Sequence, residues 1–197
     1  VSVLGFTPSK DRRQMAYRIG TVFGQRSQLW YHLPPEDTFR LLACAYEIEA
    51  DAYKKRLSFL TEAFDIAPLL DKPVRQMSLG QRMRCEIVAS LLHKPDVLFL
   101  DEPTIGLDIT ARRTIRDLIR DTSDRDGTTV LLTSHDTGDM EQVCSRVIVI
   151  DHGSLVIDKP VADLRTTYIR KKIVTLAMVM WVSTSVTATS CQKERSR

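Results

Sequence analysis

One run constrains this chain more than any other: Val97-Leu98-Phe99-Leu100-Asp101-Glu102-Pro103, four apolar residues that deliver two adjacent carboxylates and then a proline. A short apolar run with such a stop predicts a strand, about Asp96 to Leu100, buried on both faces. In open α/β sheets ligands bind at the carboxyl ends of the strands, where Asp101 and Glu102 would stand. Two neighbouring acids there suit metal-assisted phosphoryl chemistry, one holding Mg²⁺ and the other orienting or deprotonating a water. Taken alone, the pair also reads as a solvated acidic turn.

The rest of the chain surrounds that strand with helices. The 197 residues, 43% of them hydrophobic, suffice for one substantial core with a small inserted subdomain. Arg18 to Phe23 reads as a short strand, and Arg26 to Pro35, with its Pro-Pro pair, as a structured loop. Helical spacing follows over Glu36 to about Ala50 and Ala52 to Phe64, until Asp71-Lys72-Pro73 breaks it. Ser78-Leu79-Gly80-Gln81 has the form of a capping box and opens a helix that stops near His93-Lys94-Pro95. A helix over Thr110 to Ser123, a strand over Thr128 to Leu132 and a short helix over Thr137 to Cys144 come next. Arg146 to Ile150 and Ser154 to Ile157 form a hairpin around Asp151-His152-Gly153, and Leu164 closes the unit. Alternating helix and apolar strand predicts a mostly parallel sheet.

Charge and cysteine usage narrow the function. A net charge of +3, with 27% charged residues of both signs interspersed, gives no basic field of the kind nucleic-acid binders show. Arg12, Arg13, Arg112 and Arg113 read as solvated faces. Cys44, Cys85, Cys144 and Cys191 form no C-x-x-C pair and read as buried or neutral thiols in a reducing compartment. The four histidines lack metal-ligand spacing, which argues against zinc. No secretory signal opens the chain, and the apolar run Ile173 to Val182 is half the length a membrane span needs, so a cytoplasmic location is expected.

Four features then stand in a definite order: Gln25 after a strand, Ser78-Leu79-Gly80-Gln81 at a helix start, Asp101-Glu102 after a buried strand, and His135 after another, with Gly106-Leu107-Asp108 between the last two. This ordered set resembles the nucleotide-binding domain of ATP-binding cassette (ABC) transporters, from about Val3 to Leu164. The resemblance implies an α/β fold, a P-loop NTPase (RecA-like) sheet with an inserted helical subdomain, here about 26–92 of a domain spanning 1–165. It implies ATP and Mg²⁺ as ligands, with Asp101 holding the metal, Glu102 beside the attacking water and His135 contacting the γ-phosphate. It implies Gln25 as the glutamine that senses Mg²⁺ and water, with Gln28 as a weaker candidate. Ser78, Gly80 and Gln81 match the signature that binds the γ-phosphate held by a second nucleotide-binding subunit, in a homodimer or heterodimer. Leu79 replaces the first glycine of the commonest signature. Asp108 matches an aspartate that crosses the dimer interface, and equally reads as a helix cap. The cluster Leu29-Trp30-Tyr31 lies where such domains receive a transmembrane permease, although burial within the domain explains it equally well. The stretch Gly24 to Trp30 looks most like export systems, and the implied location is the inner face of the cell membrane.

The same resemblance demands a Gly-x-x-x-x-Gly-Lys-Ser/Thr loop, and no glycine here is followed by lysine. Val1 to Gly5 resembles the segment that follows that loop's helix, so roughly the first quarter of the domain is expected to be missing. The segment 166–197 departs from the family. Such a chain is expected to bind ATP poorly and not to hydrolyse it alone. Other readings stay open: a non-catalytic or degenerate partner, or a soluble ABC ATPase of DNA repair or translation. The repair class carries a long coiled coil where only about fifty residues stand here, and the translation class carries a second cassette.

Overall fold

The computed structural model describes residues 2–24, 26–168 and 178–180. In chain order the elements are α1 (Arg12–Ala16), β1 (Ile19–Phe23), α2 (Pro35–Ala45), α3 (Ala50–Ala63), α4 (Leu79–Leu91), β2 (Val97–Asp101), α5 (Ile109–Asp126), β3 (Thr129–Thr133), α6 (Thr137–Val143), β4 (Arg146–Asp151), β5 (Ser154–Pro160), α7 (Val161–Tyr168) and β6 (Met178–Met180). Single 3₁₀ turns at Ala67–Leu69 and Val74–Gln76 flank the predicted break at Asp71-Lys72-Pro73.

β1, β2 and β3 form a parallel sheet in that order, with the expected buried strand at its centre. Val97, Leu98 and Leu100 are buried, as are Val22 on β1 and Val130 and Leu132 on β3. Parallel strands need crossovers, and α5 supplies the one between β2 and β3, while α4 packs on β1 and α5. The register sets Phe23 level with Asp101 and Asp101 level with Thr133, so three loops leave the sheet at one edge. Phe39, Leu60, Phe64, Ile66, Leu69 and Val74 of the helical segment join Met83, Ile87 and Leu91 of α4 in the same core, and Leu164 packs against it.

A second sheet, ordered β5-β4-β6, is antiparallel throughout. Its hairpin turns at His152 and Gly153, both with positive φ (46° and 77°), as the Asp-His-Gly sequence predicts. Most of the segment 166–197 lies outside the described residues; of its apolar run, 178–180 pairs with β4. No helix among the described residues is long and apolar enough to cross a membrane.

Three expectations change. The first helix ends at Ala45 rather than near Ala50, because Glu47 takes a left-handed φ of 53° and the Glu49 carboxylate accepts the N–H groups of Asp51 (3.0 Å) and Ala52 (2.9 Å), starting α3 afresh. Those N–H groups hold the Glu49 carboxyl below its usual range. Helix α5 extends beyond both predicted ends, with Ile115 and Ile119 buried and Leu118 partly so. Cys85 and Cys144 are buried, and burial pushes each thiol up to about 12, but Cys44 is exposed. Cys191 lies outside the described residues.

Candidate functional site

The chain turns sharply at the carboxyl end of β2. Glu102 adopts φ 52°, a left-handed conformation that costs a non-glycine residue roughly 1–2 kcal/mol. Its N–H donates to the Thr133 carbonyl (3.1 Å) and Thr133 Oγ1 (3.2 Å), and the Thr133 hydroxyl donates to Asp101 Oδ1 (2.6 Å). One threonine thus fixes both acids from the neighbouring strand. His135, two residues beyond it, brings Nδ1 to 2.7 Å from Glu102 Oε2. With Glu102 ionised, Nδ1–H is the donor and Nε2 is left free to face a ligand. Asp101 and His135 are exposed and Glu102 is half-buried.

The loop after β1 crosses the same edge. Gly24 N–H donates to the Asp101 carbonyl at 2.7 Å. A Cβ on Gly24 would lie 2.4 Å from the Glu102 carbonyl oxygen and 2.9 Å from that of Asp101, so only glycine fits. Gly24 is therefore the point where this loop touches the backbone of the acids. Gln25 itself lies outside the described residues. Gln28, the weaker candidate, is turned into the fold: its side-chain amide donates to the Thr21 carbonyl and its N–H to Glu86 Oε2 (3.0 Å). Glu86 is buried on α4, and burial raises its carboxyl above the usual range against the pull of the Ser27 hydroxyl and the Gln28 N–H. The aromatic cluster divides, with Leu29 buried and Trp30 and Tyr31 exposed.

At the start of α4 both arms of the capping box form: Gln81 N–H donates to Ser78 Oγ (3.2 Å) and Ser78 N–H to Gln81 Oε1 (3.0 Å). The N–H groups of Leu79 and Gly80 belong to the first turn, where no intrahelical acceptor exists, and carry the positive end of the helix dipole. Gly80 is fixed by packing as well, since a Cβ there would come within 2.9 Å of the Ala111 Cβ on α5. Leu79, in place of a glycine, lies over Gly106, its Cδ2 3.2 Å from where a Cβ of Gly106 would be. Asp108 caps α5, accepting the Ala111 N–H at 2.8 Å.

Several residues escaped the sequence. Thr133 had one signal, its place at the end of a strand just before His135. Arg112 is not a solvated face: it pairs with Asp136 and donates to the Leu107 carbonyl (3.3 Å), tying α5 to the loops around it. Arg116 is buried and meets the fully buried Asp139 of α6, with Nε and Nη2 each 2.5 Å from Oδ1. Asp139 Oδ2 accepts from the hydroxyls of Thr104 (2.6 Å) and Ser134 (2.5 Å).

Comparison with known proteins gives the family. The ABC transporter family model matches residues 3–105. The chain is 29% identical to the ABC transporter ATP-binding protein NatA of Bacillus subtilis, over 79% of its own length and 63% of that protein's. It is 34% identical to the daunorubicin resistance ATP-binding protein DrrA3 of Streptomyces coeruleorubidus, over 84% of its length and 52% of that protein's. Among solved structures, an ATP-binding subunit of an ABC transporter superimposes with a TM-score of 0.71 at 22% identity, covering 85% of this chain and 69% of that one. CbiO1 of Clostridium perfringens, part of the complex cbiONQ, superimposes with a TM-score of 0.68 at 24% identity, covering 80% and 66%. The chain thus spans about half to two thirds of the curated relatives compared here. With the fold shared and the family model matching over more than half its length, this chain belongs to the ABC transporter family, with the α/β architecture of its ATP-binding subunits.

Proposed function

We propose that the chain is the ATP-hydrolysing part of an ABC transporter subunit, of the export type, acting from the cytoplasmic face of a membrane. The observation that carries this reading is the Glu102–His135 pair beside Asp101 at the carboxyl edge of the parallel sheet. The donor set fits Mg²⁺, which takes hard oxygen ligands and is held by one or two carboxylates together with phosphates and water. Asp101, steadied by Thr133, would hold that ion, which when bound neutralises charge on the phosphates. Glu102, ionised and anchored by His135 Nδ1–H, accepts the proton of a water aimed at the γ-phosphate, and in its imidazolium form His135 would donate Nε2–H to that phosphate. Gln25, next in sequence after Gly24, would be the glutamine that senses Mg²⁺ and water.

Ser78, Gly80 and Gln81 at the start of α4, with Asp108 of the neighbouring turn, would meet the nucleotide of a second subunit, homologous or identical. The helical segment about 26–92 forms the subdomain that carries Ser78, Gly80 and Gln81. Exposed Trp30 and Tyr31 would receive the permease. Daunorubicin resistance in the name of one relative supports export rather than import.

None of the eight glycines is followed by lysine, so a test of this reading joins the chain to a phosphate-cradling loop. On its own the chain is expected to show no Glu102-dependent ATP turnover. Joined to an N-terminal segment carrying Gly-x-x-x-x-Gly-Lys-Ser, it should hydrolyse ATP with Mg²⁺, and Glu102→Gln should lower the rate about a hundredfold or more. Equal rates in the two forms would favour the non-catalytic partner.

A further inference from the structure

We infer that Asp139 is the positioning residue of the Glu102–His135 pair, one buried carboxylate setting the gap between the loops that carry the two side chains. Asp139 is fully buried on α6, and its side chain bonds to Thr104, Ser134 and Arg116. Its Oδ2 joins the hydroxyls of Thr104 and Ser134. Thr104 lies in the turn that begins at Glu102, closed by the Ile105 N–H on the Glu102 carbonyl (3.2 Å). Ser134 directly precedes His135, and its Oγ also accepts the Asp136 N–H (3.0 Å), fixing the start of α6. A single oxygen therefore bridges the loop after β2 and the loop after β3.

The charge is what makes the bridge rigid. A buried carboxylate is several kcal/mol too costly unless compensated, and Arg116 compensates it through Oδ1. Arg116 is itself oriented by Gln142 (3.3 Å) and stands 3.7 Å from Asp136, which Arg112 pairs. With Oδ1 committed to arginine, Oδ2 is the acceptor left for both hydroxyls, and neither has water to replace it. What the pair does with nucleotide rests on the function proposed above; the positioning is measured without nucleotide.

The experiment reads the His135 ring nitrogens by ¹⁵N NMR in the 197-residue chain, with urea midpoints recorded in parallel. The unsubstituted chain should show one dominant tautomer with Nδ1 protonated, and Glu102→Gln should shift it, which verifies the contact. Thr104→Val and Ser134→Ala should each move the ring signals toward those of a free imidazole, and Asp139→Ala should move them furthest. Where Asp139→Ala fails to fold, the two hydroxyl variants decide. Lower urea midpoints with unchanged His135 signals would make Asp139 a structural residue only and overturn the inference, as would a Glu102→Gln variant whose His135 signals do not move. Full ATP turnover by Glu102→Gln in the extended protein would overturn the catalytic reading and leave the positioning result standing.

Discussion

Asp96 and Asp101 flank the same buried run, and the fold treats them in opposite ways. At the amino end, Asp96 pairs with Arg18, whose guanidinium holds the carboxyl below its usual range. The backbone there is closed as well: Asp96 and Val97 donate to the Arg18 carbonyl (2.8 and 3.2 Å) and the Thr128 hydroxyl donates to that of Pro95 (3.1 Å). Nearby, buried Arg56 donates to the Leu91 carbonyl (3.2 Å) and to Asp126 (2.7 Å), clamping α3 to the ends of α4 and α5. At the carboxyl end Asp101 meets only an uncharged hydroxyl among the described residues, Glu102 sits in a strained conformation and His135 is exposed. Charge is satisfied internally where the strand enters the core and held available where it leaves. Strain at a site of this kind persists because surrounding contacts over-determine it.

That contrast can be broken most sharply by removing one charge at each end. In the form extended with a phosphate loop, Asp101→Asn should lower Mg²⁺-dependent ATP turnover about a hundredfold or more, through lost metal binding, whereas Asp96→Asn should change it only slightly. Comparable losses from the two would show that the ends are not functionally distinct. A smaller effect tests the strain: Glu102→Gly should raise the urea unfolding free energy by up to about 1 kcal/mol while removing turnover, because glycine enters the left-handed region freely. Destabilisation instead would mean that the carboxylate's bond to His135 outweighs the backbone cost.

The smallest effect lies at the amino end, in His93. Its ring stacks on Tyr46 (3.9 Å, 2° between planes) and its Nε2–H donates to the Ile19 carbonyl (3.1 Å), and burial lowers its pKa below the ordinary 6.5. As pH falls through about 6.5 the unfolded chain takes up this proton and the folded one does not, so stability is full above that value and lost on acidification. His93→Phe keeps the stack and should flatten the stability curve between about pH 7 and about pH 5, read from urea midpoints. A curve as steep as the parent's would assign the acid sensitivity elsewhere.

What the sequence made legible was local. The buried run is written in consecutive apolar residues, and the Ser78–Gln81 box and the Asp151–Gly153 turn in a few neighbours whose hydrogen bonds close within the segment. Asp101, Glu102 and His135 were legible because adjacent parallel strands bring their carboxyl ends to one edge. What was hidden depends on partners far along the chain. Arg112 and Arg116 look like the polar face of an amphipathic helix until α6 is laid against them. Gly24 shows its role only once the Glu102 carbonyl is found where its side chain would be. The position of the break between α2 and α3, expected near Ala50 and found after Ala45, was hidden for a smaller reason, a glutamate acting as a cap where aspartate or serine is the usual signal.

The most direct measurement replaces Mg²⁺ by paramagnetic Mn²⁺ with ATP in the extended protein and records which backbone amides lose NMR intensity. The carboxyl edge is predicted to bleach first, at Gly24, Thr133 and His135, while Asp96 and Thr129 at the other end of the sheet keep their signals. Bleaching that begins at Asp96 and Thr129, or spreads evenly over both ends, would contradict the assignment of the nucleotide site to the Asp101–Glu102 edge.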